Sequence, residues 1–270
     1  MDLQNSTDHR HPVQPVILLG ASNLTRDFPL ILRLLKNTVD SPCDIYTAMG
    51  HGRSYGNWSR LLYRALPGIS KCEIWDALPG KASENPQPLA IITDIGNDLI
   101  YGQSSDAIFG WIESCIKQLQ EINARITITL LPEASISKLS SFRFELTRRL
   151  FFPNNPVSLA DLKLSVRYLN EQLSELVNQN KQITIVEIPA ISYGFDPIHY
   201  RYTQRSALWK SLLAEWELPE IMNQSARNRG LDFIYSFYYL QPAIKRQWGK
   251  ICRKPQPARI LADGTRISVY

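Results

Sequence analysis

Short apolar runs alternate with amphipathic stretches along most of this chain. Val16-Ile17-Leu18-Leu19 is an unbroken apolar run that stops at Gly20, the pattern of a strand buried on both faces. Residues 44–49, 89–95, 126–131 and 183–188 repeat it, and 72–75 reads as a further short strand. Between them, 28–35, 57–66, 106–122 and 158–178 carry apolar residues at helical spacing. In 106–122 the residues Ile108, Ile112, Cys115, Leu119 and Ile122 form one stripe. The alternation predicts an α/β fold of three layers, a parallel sheet of about five strands covered by helices on both faces. Ligands of such sheets gather at the carboxyl ends of the strands. The residues just after each strand therefore carry the functional question.

The pattern fades at both ends. Residues 1–14 read as a polar tail, 15–218 as the α/β domain, and 219–270 as a C-terminal extension. One stretch inside the domain fits less neatly. Residues 135–156 hold Phe142, Phe144, Phe151 and Phe152 among Arg143, Arg148 and Arg149, then break at Pro153-Asn154-Asn155-Pro156. An amphipathic insertion at a strand end suits a lid or pocket wall, and equally an ordinary helix packed on the sheet.

Composition narrows the class. A hydrophobic fraction of 44% with 20% charged residues is that of a chain with a folded core. No apolar run approaches the ~20 residues of a membrane span. The first residues lack the apolar core of a signal peptide, so a cytoplasmic protein is expected. Cys43, Cys72, Cys115 and Cys252 are scattered, without the close pairs of a zinc site, and read as reduced core residues. The net charge of +5 sits at one end. Residues 241–270 hold Lys245, Arg246, Lys250, Arg253, Lys254, Arg259 and Arg266 against Asp263 alone. Such a segment suits an anionic partner, or a solvated extension docked through Trp248.

The strand ends carry the chemistry. After the first comes Gly20-Ala21-Ser22-Asn23, where a serine at a helix start is either a nucleophile or a cap. After the second comes Gly50-His51-Gly52-Arg53-Ser54-Tyr55-Gly56, whose glycines allow close backbone approach. Its second half also matches the G-x-S-x-G nucleophile elbow, with Ser54 as a rival nucleophile. After 89–95 comes Gly96-Asn97-Asp98, in which Asn97 brings two side-chain donors or simply makes a turn. Near the end stands Asp196-Pro197-Ile198-His199, an acid and an imidazole close enough for one to orient the other. His9 and His11 lie in the tail, which leaves His51 and His199 for proton transfer.

Together these blocks resemble the SGNH or GDSL-type hydrolases over roughly residues 15–215. Ser22, the glycine block at 52–56, Asn97 and Asp196-x-x-His199 follow that family's order. The resemblance implies a flavodoxin-like sheet and a serine hydrolase cleaving carboxylic esters through an acyl-enzyme on Ser22. It implies His199 as general base, Asp196 as its orienter, and an oxyanion hole of Ser22, Asn97 and Gly56, with Gly52 as the alternative. No metal and no cofactor is implied; the expected partner is a small-molecule or carbohydrate ester, with nucleic acid disfavoured. Two positions depart from the family: Ala21 stands where Asp is usual and Ile95 where Gly is common. The first leaves the nucleophile turn without its usual support. The elbow at Ser54 follows only two strands and would leave Ser22 and Asn97 unexplained. An acyltransferase or carbohydrate deacetylase would use the same site. A non-catalytic module binding through the basic C-terminal segment is the reading from another class.

Overall fold

This computed structural model describes residues 13–39, 42–80, 86–142, 144–145, 157–178, 180–194, 196–218 and 240–270. In chain order the elements are β1 (Gln14–Leu19), α1 (Ser22–Thr38), β2 (Cys43–Ala48), β3 (Ser59–Leu61), β4 (Arg64–Leu66) and α2 (Ile74–Ala77). Then follow β5 (Leu89–Ile92), α3 (Asn97–Ile100), α4 (Ser105–Glu121), β6 (Arg125–Thr129), α5 (Glu133–Ser137) and α6 (Leu159–Asn178). The chain closes with β7 (Ile183–Val186), α7 (Arg205–Ala214), β8 (Ile244–Gln247), β9 (Lys250–Arg253), β10 (Arg259–Ile260) and β11 (Arg266–Val269).

The apolar runs behave as the strand pleat requires, sending alternate side chains to opposite faces. Val16 and Leu18 of β1 and Leu89 and Ile91 of β5 pack with Phe28, Ile31 and Leu35 of α1 and with Trp209 of α7. Ile17, Leu19, Ala90 and Ile92 pack the other way, against Ile112 and Leu119 of α4 and Leu169 and Leu173 of α6. Asp27, buried on α1, fastens α7 to this layer by accepting from Trp209 Nε1 at 2.9 Å and Arg205 Nη1 at 3.1 Å.

The main sheet runs β10-β11-β2-β1-β5-β6-β7, parallel throughout except for the β10–β11 pair. Its five central strands take the doubly wound order 2-1-3-4-5 when counted along the chain. The chain turns outward to β2 and returns on the far side of β1 to make β5. The carboxyl ends of β1 and β5 therefore flank the point where the winding reverses, which is where such sheets bind ligands.

Three expectations are corrected. The sheet has seven strands rather than about five, because β11 pairs in parallel with β2 and β10 pairs with β11. The C-terminal stretch thus completes the domain, and its Arg266 pairs with Asp44 of β2. Residues 57–66 form the β3–β4 hairpin rather than a helix; β4 pairs with β8, and β8 with β9, in a second four-stranded antiparallel sheet. Trp58, Leu61, Leu62 and Leu66 mimic a helical stripe, yet Leu62 sits at φ 54° in the turn and Tyr63 stacks on Trp248 at 5.1 Å. The stretch 72–75 enters the short helix α2 instead of a strand. The expected tail at 1–12 lies outside the described residues, as does most of 143–156; of the expected insertion, Leu139 and Phe144 are buried.

Arg53 lies fully buried between these parts. Its Nε donates to the Pro67 carbonyl at 3.1 Å, and its Nη1 to the carbonyls of Met49, at 3.3 Å, and Tyr270. One side chain thus ties the end of β2, the start of the segment after β4 and the end of β11. Arg53→Met keeps the volume but strips those carbonyls of their donors, at ~1 kcal/mol or more each. A loss of about 3 kcal/mol in urea unfolding is expected; a loss below about 1 kcal/mol would show that the carbonyls find other donors.

Candidate active site

At the end of β1 the chain passes so close to β5 that a side chain at Gly20 would meet Thr93 Cγ2 at 2.7 Å. Two residues on, Ser22 opens α1 and is 7% exposed. The first amides of a helix need acceptors, and the residue at the cap position is Ala21, which has none to offer. Asp94, two residues beyond β5, supplies them. Its Oδ2 accepts from the amides of Ala21 at 2.8 Å, Asn23 at 3.0 Å and Leu24 at 3.2 Å. Its Oδ1 accepts from Asn23 Nδ2 at 2.7 Å. Asp94 holds φ 60°, a left-handed conformation uncommon outside glycine. Sequence reasoning missed this residue; the available signal was an acid directly behind a strand, beside a serine turn lacking its own.

The histidine loop docks on the same turn. His199 Nδ1 is hydrogen-bonded to Asp196 Oδ2, and Asp196 Oδ1 accepts from the Ile198 amide at 2.8 Å. Asn23 then grips both sides of the histidine. Its Nδ2 donates to the Ile198 carbonyl at 3.0 Å, and its Oδ1 accepts from the Tyr200 amide at 3.0 Å. Arg26 Nη2 adds a bond to the Tyr200 carbonyl at 2.9 Å. The residue next to Ser22 therefore holds the peptide groups flanking His199. With Nδ1 engaged, the imidazole is left with Nε2 for proton transfer.

Asn97 begins α3 behind β5, as its place in the sequence suggested. It is buried, and its Nδ2 has no hydrogen-bond partner among the described residues. A buried amide donor left unpaired is costly unless something else occupies it. Gly56 is otherwise engaged: its amide donates to Ser54 Oγ at 3.1 Å, and a Cβ there would lie 1.9 Å from Trp111 Cε2. Gly52 sits at φ 64° with its carbonyl accepting from the Tyr101 hydroxyl at 2.7 Å. Ser54 is 2% exposed, its hydroxyl accepting from the amides of both Gly56 and Asn57, and a hairpin rather than a helix follows it. Those are the marks of a structural hydroxyl, not of an elbow nucleophile.

Two further features complete the site. His51 is depressed below the usual imidazole range by burial and by the positive charges of Arg64, His199 and Arg26, which outweigh Asp94. On the other side, an apolar cavity of about 80 Å³ begins at Asn23, Asp94 and Asn97 and runs between Leu131, Leu139 and Phe144. Among the described residues no three His, Cys, Asp or Glu side chains gather as a metal site would require, and no helix is long and apolar enough to cross a membrane.

No protein-family model matches the chain, and no curated protein does. One solved chain is similar at 10% identity and a TM-score of 0.50, over 76% of this chain and 98% of its own, a likeness of fold alone. The inhibitor-bound form of an M. smegmatis aryl esterase is 12% identical over 75% of this chain and 98% of that one, with a TM-score of 0.48. A GDSL-like lipase from Bacteroides thetaiotaomicron is 12% identical over 75% and 87%, with a TM-score of 0.44.

Asp196 links the site to acid stability. Burial alone would raise its carboxyl, but the hydrogen bond and charge of His199 and the amides of Ile198 and His199 outweigh burial and hold it low. A carboxyl depressed on folding stabilises above its unfolded value of ~3.9, and that stability is lost as pH falls through the depressed value. Thermal unfolding from about pH 5 downward is therefore expected to fall less steeply in Asp196→Asn than in the parent. Parallel curves would show that the pair adds nothing to the fold.

Proposed function

We propose that the protein is a serine hydrolase of carboxylic esters, with Ser22 as nucleophile, His199 as general base and Asp196 as the group that orients it. The observation that carries the reading is the double grip of Asn23 on the peptide groups around His199, which seats the acid–base loop against the residue adjoining Ser22. In the reaction His199 Nε2 takes the proton of Ser22 Oγ as the oxygen attacks the ester carbonyl. The negative oxygen then meets preorganised donors. Asp94 takes up the amides of Ala21, Asn23 and Leu24, and leaves that of Ser22 to point elsewhere. The unpaired Nδ2 of Asn97 is the second donor. For the third the occupied amide of Gly56 turns the choice to Gly52, which adjoins His51. Collapse of the intermediate breaks the C–O bond, and the imidazolium returns its proton to the leaving alcohol. Water repeats the sequence to free the acid.

The apolar cavity beginning at Asn97 suits the acyl part of the ester. At roughly 15 Å³ for each water-sized group, its 80 Å³ accommodates a short acyl chain of a few carbons.

With 4-nitrophenyl butyrate as substrate, Ser22→Ala is expected to abolish turnover, and a serine-reactive phosphonate to label Ser22. Turnover surviving in that variant, or a label on another residue, would overturn the assignment. Asn97→Ala is expected to lower kcat on the order of a hundredfold or more, as removal of one oxyanion donor does.

Asp94→Asn keeps the shape but offers fewer acceptors to the Ser22 turn. A kcat loss on the order of a hundredfold with a small change in KM is expected, the mark of misplaced reacting groups. Equal effects on KM and kcat would argue against a positioning role.

A further inference from the structure

Beside the Ser22 turn, on a set of residues separate from those of the apolar cavity, lies a cleft of about 610 Å³ with a different chemistry. Arg26, Pro29, Leu30 and Arg33 line it from one face of α1, at the spacing that puts residues on a single helical side. Gly50, His51 and Arg64 face them from the segments after β2 and in β4, and Arg205 closes one end with its guanidinium 3.7 Å from the centre of the Tyr202 ring. Four arginines meet there, and no aspartate or glutamate lines the wall among the described residues. Asp27 pairs with Arg26 and Arg205 from beneath, at 3.2 and 3.1 Å. Arg33 and Arg64 have no carboxylate within ion-pair distance among the described residues.

The cleft adjoins the proposed reacting groups. Thr25, on its wall, is one turn from Ser22. Arg26 also bonds the carbonyl next to His199. His51 also lines it, its imidazole pushed below the usual range by burial and by the charges around it, Arg64 foremost. Positive charge that outnumbers its carboxylates, in a space of ligand size, is the footprint of an anion site. Guanidinium forks match phosphate oxygens in pairs, and two arginines with no carboxylate partner among the described residues match the two charges of a phosphate monoester.

We propose that this cleft binds a phosphate carried on the alcohol side of the ester, so that the substrate is an acyl ester of a phosphorylated alcohol. The proposal rests on the serine-hydrolase reading for its orientation: acyl group in the apolar cavity, phosphate among the arginines, scissile ester between them. Ser22 Oγ takes the acyl group as its bond to the alcohol oxygen breaks, and the proton that His199 took from Ser22 goes to that leaving oxygen. The phosphate departs intact on the alcohol, and water then frees the acid from Ser22. A headgroup of a lipid and a soluble sugar or polyol phosphate share this chemistry.

Calorimetric titration of the full chain with inorganic phosphate tests the cleft directly, without turnover. Saturable binding is expected, weakening as salt rises and falling about tenfold or more in Arg33→Gln/Arg64→Gln. Arg64→Lys, which keeps the charge, is expected to retain most of the binding and guards against misfolding of the double variant. Lys117→Gln, on the opposite layer, is the control expected to change nothing. With turnover, 1-butyryl-glycerol 3-phosphate is expected to show a lower KM than 1-butyryl-glycerol, and the double variant to erase that ratio. Comparing the butyryl ester with micellar 1-palmitoyl-glycerol 3-phosphate tells a soluble from a lipid source, and the 80 Å³ cavity predicts a preference for the butyryl ester. Absence of phosphate binding together with equal KM for charged and neutral esters overturns the proposal, even if Ser22 is confirmed as nucleophile. Phosphate binding that depends on the two arginines, in a protein whose Ser22 is never acylated, sinks the hydrolase reading and leaves the anion site standing.

Discussion

A single carboxylate organises the centre of this molecule. Asp94 stands behind β5 and receives three backbone amides and one side-chain amide from the turn behind β1. Helix α1 needs an acceptor at its start, because its first N–H groups have no partners within the helix and carry the positive end of its dipole. Most helices find that acceptor in their own cap residue. Here it crosses from the neighbouring strand, so the direction of α1, the position of Ser22 and the junction of two strands are fixed by one group. Asn23 extends the constraint, since the side chain that bonds Asp94 also holds the loop of Asp196 and His199.

That arrangement follows from the winding of the sheet. Reversal of strand order between β1 and β5 puts their carboxyl ends side by side, with no crossover connection covering the gap between them. The gap opens onto two spaces of opposite character. α3, α5 and α6 lend an apolar cavity, and α1 with the β4 segment lends a cleft lined by arginines. A substrate reaching into both has to be amphiphilic, which is how the hydrolase reading and the anion site fit a single molecule.

The terminal strands matter as much as the central ones. β11 extends the sheet past β2, and the carbonyl of Tyr270, just beyond it, accepts from buried Arg53. Arg53 belongs to the glycine-containing loop between His51 and Ser54, so the C-terminal strand helps shape the loop proposed to contribute an oxyanion donor. Much of the basic character assigned to an appendage is thereby put to structural use, as in the pairing of Arg266 with Asp44.

The layered α/β design and the strand ends that bear Ser22 and Asn97 were legible in the chain itself. Buried parallel strands leave unbroken apolar runs and their covering helices leave stripes, signals made of neighbouring residues. The acid–imidazole pair was legible for the same reason, its members being three positions apart. What escaped was whatever depends on distant partners. Asp94 serves a turn some 70 residues away, the stripe in 57–66 became a hairpin because β8 offers it an edge, and 266–269 became a sheet strand because β2 had one free. The Gly56 amide meets a local hydroxyl, a bond visible only once the loop is folded. Local pattern thus determined which elements form and in what order, since propensity and periodicity act over a few residues. Tertiary structure alone decided which groups meet, because hydrogen bonds between strand ends are set by the winding of the sheet.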